Sequence, residues 1–208
     1  MARGKFIVIE GGDGTGKSSC KEYLQEKLAG ENVIFTHEPG GTEIGQEIRE
    51  TLLRRHNQAV PFNNLTELLL FVASRAQHVD ELIRPKLYAG THVICDRFAA
   101  SSFAYQIRAN EREDLNHIFT ILHELALGET QPDLYILLDL DPKVAEKRMD
   151  QRGEKTRFDA RALDYHLRVR EGMLEYVKKF HHVIIDASQP IDSVKEQVWR
   201  AVGPELTK

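Results

Sequence analysis

Eight consecutive residues near the N-terminus, Gly11-Gly12-Asp13-Gly14-Thr15-Gly16-Lys17-Ser18, combine backbone freedom, one ammonium and one hydroxyl in the spacing G-x-x-x-x-G-K-[ST]. Glycines let the chain curl until several N–H groups face one concavity, which binds phosphate oxygens without side chains. Lys17 adds a mobile charge for β- and γ-phosphates, and the Ser18 hydroxyl, followed by Ser19, is the kind of ligand Mg²⁺ takes. Farther along, Asp96 directly follows Val93-Ile94-Cys95. It reads either as a carboxylate near that metal or as a cap for the next helix. Arg97 beside it suits a phosphate ligand, because a planar guanidinium meets two oxygens at once.

Other candidates carry two readings each. Phe71 and Arg75 lie four apart in a helical pattern and share a face. One stacks on a flat base while the other bonds its edge or phosphate, or else they are a core aromatic and a solvated charge. Glu38-Pro39-Gly40-Gly41 is either a turn or a place where glycines admit a close ligand. Ser101, Ser102, Tyr105 and Gln106 line a substrate cleft, or cap and pack a helix. Between Lys147 and Arg170 eight basic residues stand against four acids, a local positive patch in a chain of net charge −4. Within it, Arg148 to Arg157 is a solvated helix end or a flap that closes on a transferring phosphoryl group.

Something must hold these groups in place, and the apolar pattern says what. Phe6–Ile9, Val33–Phe35, His92–Cys95, Leu134–Leu138 and Val183–Ile185 read as buried strands. Helical patterns fill the gaps: Ile44, Ile48 and Leu52; Leu68 to Ile83, stopped by Pro85; Leu115 to Leu127; Val144 to Met149; Leu163 to Phe180; and Ile191 to Val202. Strands alternating with helices predict an α/β fold, three layers around a five-stranded parallel sheet, with ligand sites at the carboxyl ends of the strands. The glycine-rich motif stands between the first strand and the first helix, the context a P-loop requires.

Composition bounds the rest. A chain of 208 residues without repeats or linkers fits one domain, residues 1–208, and its charge argues against a general nucleic-acid binder. No apolar run is long enough to span a bilayer. Cys20 and Cys95 have no metal-ligand or redox spacing, so buried thiols and a cytoplasmic location are expected. A GTPase-like switch would need Asn-Lys-x-Asp to read guanine, and no Asn here is followed by Lys.

Taken together, the pieces resemble the thymidylate kinase family over nearly the whole chain. The match runs through Ile9-Glu10-Gly11 and the P-loop, Glu38-Pro39-Gly40-Gly41-Thr42, Phe71 with Arg75, Asp96-Arg97-Phe98, and Ser101-Ser102-Phe103-Ala104-Tyr105-Gln106. It continues in Pro132-Asp133-Leu134, Leu138-Asp139 and Arg157-Phe158-Asp159. The resemblance implies transfer of a phosphoryl group from ATP to dTMP with Mg²⁺. Phe71 would stack on thymine, Arg75 contact the base edge, and Ser102 and Gln106 face the base. Ser101, Glu38 and Pro39 would border the same acceptor. Arg97 would hold the acceptor phosphate, Asp96 and Ser18 the metal, Asp13 the sugar 3′-hydroxyl, and Tyr105 would pack under the deoxyribose.

Gly14 occupies a position where some family members carry arginine, so the catalytic positive charge would come from a lid at about 148–160, through Arg152 and Arg157. A homodimer is implied as well. The chain departs from bacterial-type relatives at His37, commonly Arg, at Ser101-Ser102, and at Ile107-Arg108-Ala109-Asn110, which lacks the usual glycines. These departures border the acceptor, which leaves another nucleoside monophosphate or a deoxynucleoside as the alternative.

Overall fold

All five apolar runs become strands of one sheet: β1 (Phe6–Gly11), β2 (Val33–His37), β3 (His92–Asp96), β4 (Leu134–Asp139) and β5 (His182–Asp186). The computed structural model describes residues 2–56, 62–152 and 163–207. Every pairing is parallel, in the order β2-β3-β1-β4-β5. Side chains alternate between two buried cores, as the pleat demands. Phe6 and Val8 of β1 enter one core with Val93, Cys95, Tyr135 and Leu137, while Ile7 and Ile9 enter the other with Ile94, Ile136 and Leu138.

The helices are α1 (Lys17–Lys27), α2 (Glu43–His56), α3 (Asn64–His78), α4 (Arg84–Tyr88), α5 (Ala99–Ser102), α6 (Asn116–Leu127), α7 (Pro142–Arg152), α8 (Leu163–Val177) and α9 (Ile191–Leu206). Helices α3, α5, α6 and α8 contribute to the first core, and α1, α7 and α9 to the second. Helix α3 begins where the Asn63 side chain accepts a hydrogen bond from the Thr66 N–H at 2.8 Å.

Pro85 does not stop this helix. A π-helical turn, Val79–Ile83, follows α3 and leads straight into α4, with Pro85 in the first turn of the new segment. There its missing N–H is one that a helix start leaves unbonded anyway. A second π-helical turn, Phe103–Arg108, extends α5. Its wider spacing hides the 3.6-residue repeat, and the sequence pattern does not reveal this helix.

Register decides where chemistry can occur. Ile9 stands level with both Asp96 and Ile136, and His37 with Asp96. The carboxyl ends of β1, β2, β3 and β4 therefore lie close along one edge of the sheet, and the glycine-rich motif, Glu38, Asp96-Arg97 and Asp139 emerge there together.

Candidate active site

The loop after β1 folds back on its own lysine. Gly16 caps α1 with φ 89°, a left-handed conformation that a side chain would strain. This turn lets Lys17, the first helical residue, place Nζ 2.8 Å from the Gly11 carbonyl and 3.0 Å from that of Gly12. The Thr15 hydroxyl donates to the Gly12 carbonyl at 2.8 Å and stiffens the same curl. Burial, seconded by the Arg97 charge, pulls the Lys17 ammonium down to about 8. Such a poorly solvated cation gains by meeting phosphate oxygens. Ser18 is exposed and Ser19 half-buried on the first turn of α1.

Asp96 ends β3, and its Oδ1 is buried with no partner among the described residues. Arg97 follows with φ 65°, an uncommon conformation for a residue with a side chain. Its N–H donates to the Ile9 carbonyl at 2.9 Å, fixing the strain in place. The guanidinium then reaches Asp13 Oδ1 at 2.6 Å and Ser101 Oγ at 3.2 Å, 5.5 Å from the centre of the Tyr105 ring. Burial pushes the Asp13 carboxyl up, but Arg97 and Lys17 outweigh it and hold the group below its usual range. Asp13, Arg97, Ser101 and Tyr105, separated by up to 92 positions in sequence, thus form one cluster beside the P-loop.

Glu10 had only its place in the family pattern to recommend it. It is fully buried and accepts hydrogen bonds from the Phe98 and Ser101 N–H groups and the Ser101 hydroxyl, at 2.8, 3.1 and 2.6 Å. Burial raises its carboxyl all the same. The group pins the start of α5 to β1. A lone carboxylate in an otherwise apolar strand was the available signal.

Across the sheet edge lies a second cluster. Arg75, 1% exposed, donates from Nε to Glu38 Oε2 and from Nη2 to Ser102 Oγ, each at 2.8 Å. The plane lies against Phe98, 4.9 Å from its ring centre. Nη1 is buried and has no partner among the described residues. Phe71, one helical turn earlier, is half-buried. Gln106 donates to Glu67 at 2.8 Å, and Pro39, joined to Glu38 by a cis peptide, accepts from Arg49 at 3.1 Å.

Gly40 and Gly41 make room for the protein's own imidazoles. A Cβ on Gly40 would meet His37 Nε2 at 2.6 Å, and one on Gly41 would meet His78 Nε2 at 2.4 Å. Ser74 anchors the turn by accepting from the Gly40 N–H at 3.2 Å. Arg49, Ser74 and His78 carried no sequence signal, since each sits in a helix whose apolar stripe alone is legible.

The basic patch divides. Arg170 grips Asp139 with two bonds of 2.6 and 2.8 Å, and Arg148 donates to the carbonyls of Ala187 and Ser188 at 2.9 and 3.3 Å. Both are braces. Arg148 lies inside α7, and most of the lid expected at about 148–160 lies outside the described residues. The Arg152 side chain and all of Arg157 lie outside the described residues. A cleft partly open to solvent runs from Gly12, Asp13 and Tyr105 between α7 and α8 to Met173.

A phosphate cradle, a strand-end carboxylate beside a bonded arginine, and a second buried polar cluster at the same edge of the sheet define a P-loop phosphotransferase. Comparison with known proteins gives the family. A profile described as thymidylate kinase matches residues 9–198. A thymidylate kinase of Clostridium novyi is 40% identical over 204 residues, 95% of this chain and 98% of the relative. One of Deinococcus radiodurans is 40% identical over 207 residues, 98% of each. The crystal structure of thymidylate kinase from Ehrlichia chaffeensis superposes with a TM-score of 0.74 at 29% identity, covering 97% of this chain and 99% of that one. The chain belongs to the thymidylate kinase family and is an ATP-dependent phosphotransferase.

Proposed function

We propose that this chain phosphorylates dTMP to dTDP, with ATP as donor and Mg²⁺ as the metal, and that residues 1–208 form one kinase domain. The observation that carries the acceptor assignment is Arg75. Its Nε and Nη2 are committed to Glu38 and Ser102, while buried Nη1 remains a donor one helical turn from the half-buried Phe71 ring. A donor in that position suits the O4 carbonyl of thymine and rejects the amino group of cytosine. Ser102 and Gln106 complete the base side, with Glu38 and Pro39 behind them.

On the phosphate side, the amides of Gly11 to Ser19 and the Lys17 ammonium receive the β- and γ-phosphates. Ser18 and Asp96 would hold Mg²⁺, which when bound neutralises charge on those oxygens. The unpaired Oδ1 of Asp96 fits that role. Among the described residues no group of three metal-ligating side chains occurs, and a magnesium ion carried by nucleotide phosphates needs only one or two protein oxygens.

Arg97 orients the acceptor phosphate, Asp13 accepts from the 3′-hydroxyl, and Tyr105 fills the space a ribose 2′-hydroxyl would need. One acceptor phosphate oxygen attacks the γ-phosphorus in line as the bond to the β-bridging oxygen breaks, releasing ADP. No general base is required, since a phosphate monoester with a second pKa of about 6 is already ionised. Lid charge from Arg152 and Arg157 stabilises the transferring group.

Incubating the protein with Mg-ATP and a panel of dTMP, dUMP, dCMP, dGMP and thymidine tests the reading. Diphosphate is expected fastest from dTMP. Preferential turnover of dCMP, or of the nucleoside, overturns the acceptor assignment.

The proposal extends to a homodimer. Leu65 and Leu69 on α3, and Ile118, Ile121 and Leu125 on α6, are exposed, Leu125 to 76%. A second copy is the natural cover for such surface. Sedimentation is expected to give twice the 23.8 kDa chain mass, and a monomer at micromolar concentration would refute it. A cytoplasmic location fits two buried free cysteines. No described helix is long and apolar enough to cross a membrane.

A further inference from the structure

Behind Arg75 stands a second, buried polar layer. His78 is fully buried, with Nδ1 3.1 Å from Glu38 Oε1 and Nε2 2.7 Å from the Thr36 hydroxyl. Thr36 is 5% exposed and Glu38 4%. The Glu38 carboxylate, ion-paired with Arg75, can only accept, so the hydrogen between it and the ring belongs to Nδ1, while Nε2 meets the Thr36 hydroxyl. Gly41 has no Cβ because the ring occupies its place, 2.4 Å from where one would stand.

We propose that His78 is a positioning residue for the acceptor site: by occupying Oε1 of Glu38 it keeps that carboxylate on a single nitrogen of Arg75. The alternative geometry is close at hand. Nε and Nη2 share one edge of a guanidinium, and a carboxylate with both oxygens free takes that edge side-on with two parallel bonds. Here Oε1 belongs to His78, so Nη2 bonds Ser102 at 2.8 Å instead. Without the imidazole, Oε1 turns to Nη2, Ser102 is displaced, and the guanidinium rotates in its plane. Nη1, the guanidinium nitrogen with no partner among the described residues, then points elsewhere. The Glu-Pro-Gly-Gly turn thus acts at one remove, aiming a side chain of the neighbouring helix.

This inference rests on the acceptor site proposed above, and the test separates the two. His78→Leu removes both bonds. His78→Gln places an amide near the Nε2 position and leaves Glu38 unbonded, whereas His78→Asn places one near Nδ1 and restores the Glu38 contact. In H78L and H78Q the KM for dTMP is expected to rise roughly tenfold, the worth of one hydrogen bond to a charged group. Their kcat and KM for ATP are expected to stay near wild type, the pattern of lost uniform binding. H78N is expected to behave like wild type.

Where H78L does not fold, the pair H78Q and H78N carries the same comparison. An unchanged KM for dTMP in folded H78L or H78Q, parallel rises for both substrates, or an H78N as impaired as H78Q each overturns the relay. Arg75→Ala is the control: if it leaves acceptor use intact, the site reading itself fails. If Arg75→Ala is impaired and H78Q normal, the relay alone does.

Discussion

Replacing Lys17 by methionine is expected to lower kcat by about a hundredfold to a thousandfold, the range found when one preorganised charge is lost from a transition state. The ammonium lies inside the P-loop curl, held at 2.8 and 3.0 Å from the Gly11 and Gly12 carbonyls. It is desolvated before substrate arrives, so its field acts on phosphate oxygens with little screening. Methionine matches the aliphatic stem and leaves α1 with an equally good helix former. Unfolding is therefore not expected to explain the loss. Steady-state rates with Mg-ATP and dTMP, alongside a thermal melt, check the point. A near-normal kcat would remove the loop from the mechanism.

Arg75→Ala is expected to have two separable effects. Acceptor kcat/KM should fall roughly a hundredfold, since a buried charged donor to the base is lost and nothing replaces it. The KM for ATP should hardly move. Stability should fall too, by about 3 kcal/mol, because the Glu38 carboxylate, 3% exposed, is left with only His78 opposite it. Adding Glu38→Gln removes the stranded charge. The double variant is thus expected to regain most of the melting temperature while acceptor use stays poor. Recovery of both together would mean that the arginine serves folding alone, and equal losses for ATP and dTMP would move it away from the acceptor.

The sheet was legible because strands buried on both faces are written as unbroken apolar runs, and Phe6–Ile9 or Leu134–Leu138 read as little else. Their last residues were not, since Gly11, His37, Asp96 and Asp139 join the ladder through backbone alone. Local order also made the P-loop and Asp96-Arg97 visible. Each sits directly after a strand, where an α/β sheet exposes its ligands.

What stayed hidden depends on partners far away in sequence. On periodicity alone Arg75 reads better as a solvated charge than as a ligand; Glu38, 37 positions earlier, and Ser102, 27 later, close around it and bury it. His78 sits on the same helix with nothing to mark it. The basic run from Lys147 to Arg170 looked like one field, yet Arg170 is neutralised by Asp139 and Arg148 is spent on two carbonyls. Charge in a sequence says nothing about which charges are already taken. The two π-helical turns were illegible for a different reason, namely that they break the repeat by which helices are recognised.

Gly14 has φ +75°, and a Cβ there would lie 3.0 Å from the Ala145 carbonyl oxygen and 3.2 Å from its Cα. The obstacle is the main chain of α7, which no exchange at position 145 can shrink. An arginine at position 14, as some relatives possess, would be strained here by the positive φ and would need the α7 main chain to give by a few tenths of an ångström. Moving cationic assistance into the loop would thus burden two elements at once, the turn that carries position 14 and the helix that lies against it.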